Sequence, residues 1–243
     1  MNLVIDIGNT RGKYAFFDEK RLVEAKYGLG GLMDDVRKWK KGTAKLDVFL
    51  SGSGQIEGVL KNQLAGLSDG FWEASAELKL PLRIDYLTPE TLGFDRIANC
   101  VGGMSLFPNT PLLVIDSGTA VTYNYVGADG VFLGGNISPG LEMRFRGLYQ
   151  FTAKLPYVCP DENHEGFGRT TEQAIRNGVM NGIFFEVEGY IKRFINDEAK
   201  GRVVITGGNS HFLMDLQQSE VAFCEQLGFE GLNEILLFVK KYD

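Results

Sequence analysis

Apolar positions run unbroken through Leu3, Val4 and Ile5, stop at Asp6, and resume from Tyr14 to Phe17 after a polar, glycine-containing stretch. Such a run, bounded by turn residues, reads as a buried strand from Leu3 to Ile7. Gly8, Asn9 and Thr10 turn it, and Lys13 to Phe17 returns as a second strand before a turn at Asp18–Lys20. Arg21 to Tyr27 supplies a third strand. Leu32, Val36 and Trp39 then fall at helical spacing, with Gly42 as the stop signal. DVFLSGSG reads as a short strand into a Gly/Ser turn, followed by a helix carrying Ile56, Val59, Leu60 and Leu64. LPLRIDYL is a further strand and FDRIANCVGGMSLF a further helix.

The same order then recurs. LLVIDSGTA, VTYNYV and GVFLGGN read as three strands joined by tight turns. A long helix follows from about Thr171 to Asn196, entered through the capping-box pattern Thr170-x-x-Gln173. RVVIT is a strand, GGNS a turn, HFLMDL a short helix and NEILLFVKKY a terminal helix. Three strands followed by alternating helices and strands, twice over, describe an α/β chain with mixed sheets. The boundary falls near Pro108–Pro111, giving an N-terminal lobe of residues 1–110 and a C-terminal lobe of 111–243. Each lobe opens on an apolar strand ending in Asp-x-Gly, at Asp6 and at Asp116. In a pseudo-symmetric pair both turns would face one interdomain cleft, a preferred place for ligands.

Composition narrows the partners. Of 243 residues, 44% are apolar and 23% charged, and the net charge is −6, so no broad basic face for nucleic acid or anionic membrane is expected. Cys100, Cys159 and Cys224 are odd in number and widely spaced, which suits reduced core thiols rather than a disulfide framework. The opening MNLVIDIGN has no basic segment and meets Asp6 early, and no apolar run approaches the roughly 20 residues of a membrane span. The expectation is a soluble, cytoplasmic protein.

The Asp-x-Gly turns suggest phosphate chemistry. Glycine lets the backbone approach a phosphate closely, while Asn9, Thr10, Thr119 and Thr122 offer neutral donors. The carboxylates of Asp6 and Asp116 repel phosphate unless a cation lies between, which points to a nucleoside triphosphate with Mg²⁺. Either turn alone reads more readily as an ordinary good turn; two copies directly after VID, each followed by a hairpin strand, favour the ligand reading. Gly8 to Gly12-Lys13 has one residue too few for a P-loop, and Tyr14 stands where Ser or Thr is needed. Asp95 and Arg96, where a loop enters a helix, pair a base with a guanidinium, as deprotonating an alcohol and holding an acidic substrate require. The bland alternative is a capping Asp and a surface Arg. The TGG at 206–208 could admit a flat base or a phosphate, or be a plain turn. His164 and His211 lack partners at metal-ligand spacing. Gly178 and Gly182 suggest close helix packing, and Phe184, Phe185, Tyr190 and Phe194 a core or subunit interface; Arg144 and Arg146 could reach an anion but read more readily as solvated positions.

DIGNT at 6–10, GFDR at 93–96, DSGTAVT at 116–122 and GGNISPG at 134–140 occur in this order, followed by LP at 155–156, T-x-x-A-I-x-x-G at 171–178, TGG at 206–208 and EGL at 230–232. Together they resemble the type III pantothenate kinases, of the sugar kinase, actin and heat-shock chaperone superfamily. The resemblance implies a duplicated ribonuclease H-like, actin-like ATPase fold, with two lobes of mixed sheets flanked by helices around the cleft. It implies ATP-dependent phosphorylation of pantothenate to 4′-phosphopantothenate, the first committed step towards coenzyme A. By the same likeness, Asp6, Ile7, Gly8, Asn9, Thr10, Arg11, Gly12 and Lys13 lie along ATP, with Asp6 near Mg²⁺, and Thr119 contacts ATP. Asp95 is the general base, and Tyr86, Gly93, Phe94, Asp95, Arg96 and Thr171 line the pantothenate site. Asp116 coordinates a monovalent cation, K⁺ or NH₄⁺, and the chain forms a homodimer with the substrate pocket near the subunit contact.

Two positions depart from the family pattern. Asn124 stands where Asp is frequent, which would remove one charge from the cation site, and Phe94 replaces a small residue and would narrow or cap the pocket. The rival readings are another small-molecule kinase or a phosphatase of the superfamily, and a non-enzymatic kinase-like regulator. The first should lack the GxDR and GGxIxPG combination, and the second should have lost the base or a phosphate turn. Asp6, Asp95, Asp116 and Thr119 are all present.

Overall fold

The computed structural model describes residues 1–8, 12–43, 45–52, 58–161 and 166–242. Two compact units emerge, one of Met1–Pro108, Gly130–Phe132 and Gln226–Asp243, the other of Asn109–Asp129 and Leu133–Glu225. In the first, β1 (Asn2–Ile7), β2 (Gly12–Asp18), β3 (Arg21–Tyr27), β4 (Asp47–Gly52) and β5 (Gly70–Glu73) form a sheet in the order β3-β2-β1-β4-β5. β1 is antiparallel to β2 and parallel to β4. Its continuous apolar run follows from burial on both faces of a mixed sheet. Leu3 and Ile5 pack with Tyr14, Phe16 and Val48 against Leu32 and Val36 of α1 (Leu32–Gly42) and Leu64 of α2 (Gly58–Leu67). The expected helix start at Ile56 lies outside the described residues. α3 (Phe94–Leu106) borders β4, and β6 is only Arg83–Ile84, far shorter than the expected LPLRIDYL strand.

The second unit repeats the scheme. β7 (Leu112–Ser117) is antiparallel to β8 (Ala120–Val126) and parallel to β10 (Arg202–Thr206), which pairs in parallel with β11 (Val221–Phe223); β9 (Val131–Pro139) lies beyond β8. The strand carrying VID is thus central in both units, with its hairpin partner on one side and parallel strands on the other. Ile115, Tyr123 and Val203 bury their side chains with Leu141 and Phe145 of α4 (Leu141–Gln150) and Ile183 and Val187 of α5 (Thr171–Asp197). α4 was not expected from the sequence. α5 begins as expected: the Thr170 hydroxyl accepts from the Gln173 amide at 3.2 Å, while the Gln173 side chain accepts from the Arg169 amide at 2.9 Å.

The final helix, α6 (Leu227–Val239), packs on α3, β1 and β4, so residues 226–243 group with the first unit rather than with 111–225. Small residues permit this crossing. A Cβ on Gly231 would overlap the Ala98 carbonyl, and one on Gly102 would come within 2.6 Å of the Leu227 carbonyl. Among the described residues no helix is long and apolar enough to cross a membrane.

Candidate active site

The first hairpin places Asp6 and Lys13 opposite each other across β1 and β2. Lys13 Nζ lies 3.3 Å from Asp6 Oδ2, with the Asp6 side chain mostly buried and that of Lys13 about a third exposed. Burial pushes the Asp6 pKa up from the ordinary carboxylate range. Lys13 opposes this through its charge and hydrogen bond, and the nearby Asp95 carboxylate adds to the upward push. Ile7 is half-buried at the strand end, Gly8 is exposed, and Gly12 pairs with Ile7. Asn9, Thr10 and Arg11 lie outside the described residues.

Asp95 and Arg96 occupy the first turn of α3, where an acidic residue suits the positive end of the helix dipole. Gly93 precedes the helix, and its carbonyl accepts from the Arg96 and Ile97 amides. Asp95 Oδ1 accepts from the Arg96 amide at 2.8 Å. A Cβ on Gly93 would stand 2.5 Å from that oxygen, so only glycine leaves the carboxylate its place. Asp95 is exposed, whereas Arg96 is buried with its guanidinium 5.4 Å from the centre of the Phe132 ring. Tyr86 meets the same ring edge-on, at 5.8 Å. Phe132 therefore organises two residues that the sequence singled out, yet it was not itself singled out. It reaches them because Ile84 and Phe132 are register partners where β6 joins the start of β9. Phe94 turns onto Phe49 of β4, rings 5.8 Å apart and nearly parallel.

In the second unit, two glycine-bearing loops converge on the turn between β7 and β8. Asp116 pairs with Thr122, and the Gly118 amide closes the turn on the Ala120 carbonyl at 3.1 Å. Asn209, after the TGG segment, donates its amide to Ser117 O at 2.9 Å and its side chain to Gly118 O at 3.3 Å. Gly207 has φ +97° and lies so close to Asp116 and the Ser117 backbone that a Cβ would overlap both. Gly140 likewise backs onto the carbonyls of Gly118 and Thr119. Thr119 remains exposed and Asp116 half-buried. Asn124 is fully buried, and its side-chain amide donates to Val114 O at 3.2 Å and Thr122 Oγ1 at 3.1 Å. A carboxylate there would face the Val114 carbonyl with no proton to give it.

Thr171 stands on a different element, the exposed start of α5, and borders a cavity of about 600 Å³ between α4 and α5 with Arg144, Leu148, Leu155, Ile175 and Gly178. Two expectations are corrected here. Arg144 is not solvated: it donates to Glu186 at 2.6 Å, Ser138 at 2.9 Å and the Pro139 carbonyl at 2.7 Å. Arg146 is exposed and pairs with Glu142. Gly178 and Gly182 do not mark close helix packing, because a Cβ on either would meet nothing within 4 Å. Burial raises Glu186, but Arg144, Ser138 and Tyr123 outweigh it and hold the carboxyl below its ordinary range. Tyr123 in turn stacks on Tyr190 at 3.8 Å, and Phe194 is buried in the same core while Phe185 is exposed. His211 meets the Gly208 carbonyl at 3.1 Å, and His164 lies outside the described residues. Among the described residues, no cluster of three or more His, Cys, Asp or Glu side chains could cage a metal ion.

The family model of the type III pantothenate kinases matches residues 2–193. The type III pantothenate kinase of Phocaeicola vulgatus is 39% identical over 248 residues, covering 99% of this chain and 100% of that protein. Among solved structures, a Campylobacter jejuni protein assigned to the Baf family of transcriptional activators has a TM-score of 0.62 at 20% identity, covering 98% of this chain and 99% of its own. A Sinorhizobium meliloti protein described as a 2-dehydro-3-deoxygalactonokinase has a TM-score of 0.55 at 12% identity, covering 100% and 99%. At such identities the structural likenesses speak for the fold alone. With the two repeated mixed sheets, they give the duplicated actin-like, sugar-kinase type of fold.

Proposed function

The chain belongs to the type III pantothenate kinase family, and from that premise we propose how its own residues carry the reaction. The activity is ATP-dependent phosphorylation of pantothenate to 4′-phosphopantothenate, a phosphoryl transfer to an alcohol at the start of coenzyme A biosynthesis. The observation that carries the residue assignment is the exposed Asp95 carboxylate, held at the head of α3 within electrostatic reach of the Asp6–Lys13 pair.

Asp95 accepts the proton of the pantothenate hydroxyl as the oxygen attacks the γ-phosphorus and the bond from that phosphorus to the β–γ bridging oxygen breaks, with ADP as the leaving group. Arg96, buried on Phe132, whose ring Tyr86 also meets, presents fixed positive charge to the substrate carboxylate, with Gly93 and Phe94 at the same helix start. Thr171 adds a hydroxyl from the start of α5. Residues Asp6 to Lys13 lie along the ATP phosphates, and Thr119 contacts the nucleotide from the second Asp-x-Gly turn. Such chemistry needs positioning and charge neutralisation more than covalent help.

Mg²⁺ accompanies ATP. Asp6 resists ionisation because it is buried near a second carboxylate, an environment that a divalent cation would relieve. Mg²⁺ commonly binds through one or two carboxylates plus water and phosphate oxygens, so it needs no protein cage. When bound, it offsets the charge of the transferring phosphoryl group. Asp116 would hold a monovalent cation, K⁺ or NH₄⁺, beside the DSGT turn. The chain works as a homodimer, to which the exposed Met143, Tyr149 and Phe185 on α4 and α5 would lend apolar surface, and it acts in the cytoplasm.

The test is to follow ADP release with ATP, Mg²⁺ and K⁺, with and without pantothenate, alongside the product mass. Pantothenate-dependent ADP with a product heavier by one phosphoryl group is expected. ADP release independent of pantothenate would overturn the reading.

A further inference from the structure

We propose that Phe229, in the first turn of α6, is a positioning residue that holds the Lys13 ammonium at the first phosphate turn. The inference rests on the reading that Lys13 lies along the ATP phosphates. Lys13 Nζ sits 5.3 Å from the centre of the Phe229 ring, at cation–π distance. Phe229 is 2% exposed, and the ring centre of Tyr27 lies 6.2 Å from its own. Tyr27 is also the register partner of Lys13 across β2 and β3. The residue before Phe229 leaves room for this arrangement: a Cβ on Gly228 would stand 3.1 Å from Asn99 Oδ1 and 3.6 Å from Lys13 Nζ. The last helix of the chain thus reaches the first hairpin, and its crossing with α3 at Gly102 and Gly231 sets how far it reaches.

The physical need is clear from the side chain. Lysine carries a point charge on four flexible carbons, and a third of the Lys13 side chain faces solvent. Held by Asp6 alone, the ammonium would be tied to a carboxylate whose charge is itself opposed by burial and by Asp95. The ring face gives it a second anchor that does not titrate and does not compete for phosphate.

The test measures KM for ATP, KM for pantothenate and the thermal midpoint for the full-length enzyme and for Phe229→Leu, Phe229→Tyr, Lys13→Met and the Lys13→Met/Phe229→Leu double variant. Phe229→Leu should raise KM for ATP about two- to fivefold, the range of a partly exposed cation–π pair, and leave KM for pantothenate unchanged. Phe229→Tyr keeps the ring and should restore the wild-type value. In the Lys13→Met background Phe229→Leu should add nothing, because coupled residues are not additive. Should Phe229→Leu fail to fold, Phe229→Met enters the same cycle. An unchanged KM for ATP in Phe229→Leu, with Lys13→Met impaired, overturns this inference alone. So does an equal loss in the Lys13→Met background, which would mean that Phe229 acts only through the fold. A normal KM for ATP in Lys13→Met removes the reading of Lys13 on the phosphates, and this inference with it.

Discussion

Asp6 and Lys13 face each other across the first hairpin at 3.3 Å, an ion pair in which the acid is mostly buried and the base is not. Burial and Asp95 push the Asp6 pKa up, and Lys13 holds it down. Lys13→Met should therefore raise it further. If the carboxylate is the working form, the acid limb of kcat/KM moves to higher pH in the variant. The stability cost has the matching sign. A carboxyl whose folded pKa is raised stabilises the fold when protonated and loses that contribution as pH rises through its folded pKa. The thermal midpoint of Lys13→Met should thus fall more at neutral than at acid pH. Paired pH–rate and melting profiles check both statements, and an unmoved acid limb would count against Asp6.

The chain end is tied down by a buried polar network. Asp47 is 1% exposed, with Lys240 Nζ 2.5 Å from its Oδ2; Lys240 also donates to Asn2, and Asn2 to Asn233 at 2.8 Å. Lys240→Met leaves a buried carboxylate short of its main partner, at a cost of about 3 kcal/mol and a fall in Tm of roughly 6 to 12 °C. Adding Asp47→Asn should recover much of that loss. Calorimetry of both variants measures it.

Two glycines should respond in opposite directions. Gly207→Ala must adopt φ +97° and displace the DSGT turn, so kcat/KM should fall by about tenfold or more with a lower Tm. Gly182→Ala lies inside α5 with nothing within 4 Å of its Cβ, and should stabilise by about 0.5–1 kcal/mol through helix propensity. Thermal melts and steady-state kinetics separate the two cases.

Asp116 invites an ion-replacement test. Rates in K⁺ or NH₄⁺ should exceed those in Na⁺, and Asp116→Asn should erase the difference. The buried Asn124 amide is committed to Val114 and Thr122, so Asn124→Asp should lower Tm rather than sharpen cation dependence. Equal wild-type rates in all three salts would remove the monovalent site.

Much of this was legible in the sequence because it is local. The β1–β2 and β7–β8 hairpins follow from apolar runs interrupted by Asp-x-Gly, and the short hairpin connection sets Asp6 opposite Lys13. What was hidden depends on contacts distant in sequence. α4 carries Leu141, Phe145 and Leu148 at helical spacing, but Pro139-Gly140 ahead of it and Gly147 within it disguise the signal. α6 begins at Leu227, earlier than expected, because Gly231 breaks the apparent pattern; it is glycine to let Ala98 approach. Arg144 reads as a surface residue until Glu186, on another helix, is brought beside it. Phe132 shows no motif at all; its role comes from where β6 happens to pair. Of the candidate site, the two Asp-x-Gly turns and GFDR could be read directly as motifs, whereas the aromatic contacts of Arg96 and Lys13 could not.

The most direct measurement compares wild-type enzyme with Asp95→Asn in single-turnover phosphorylation of pantothenate, with ATP binding measured in parallel. Asp95 is exposed and bonds only to the neighbouring Arg96 amide among its described hydrogen bonds, so the variant should fold and bind ATP normally. The expected result is a chemical step slowed by about 10²-fold or more, with nucleotide affinity retained. A variant that transfers phosphate at the wild-type rate would contradict the assignment of Asp95 as the base.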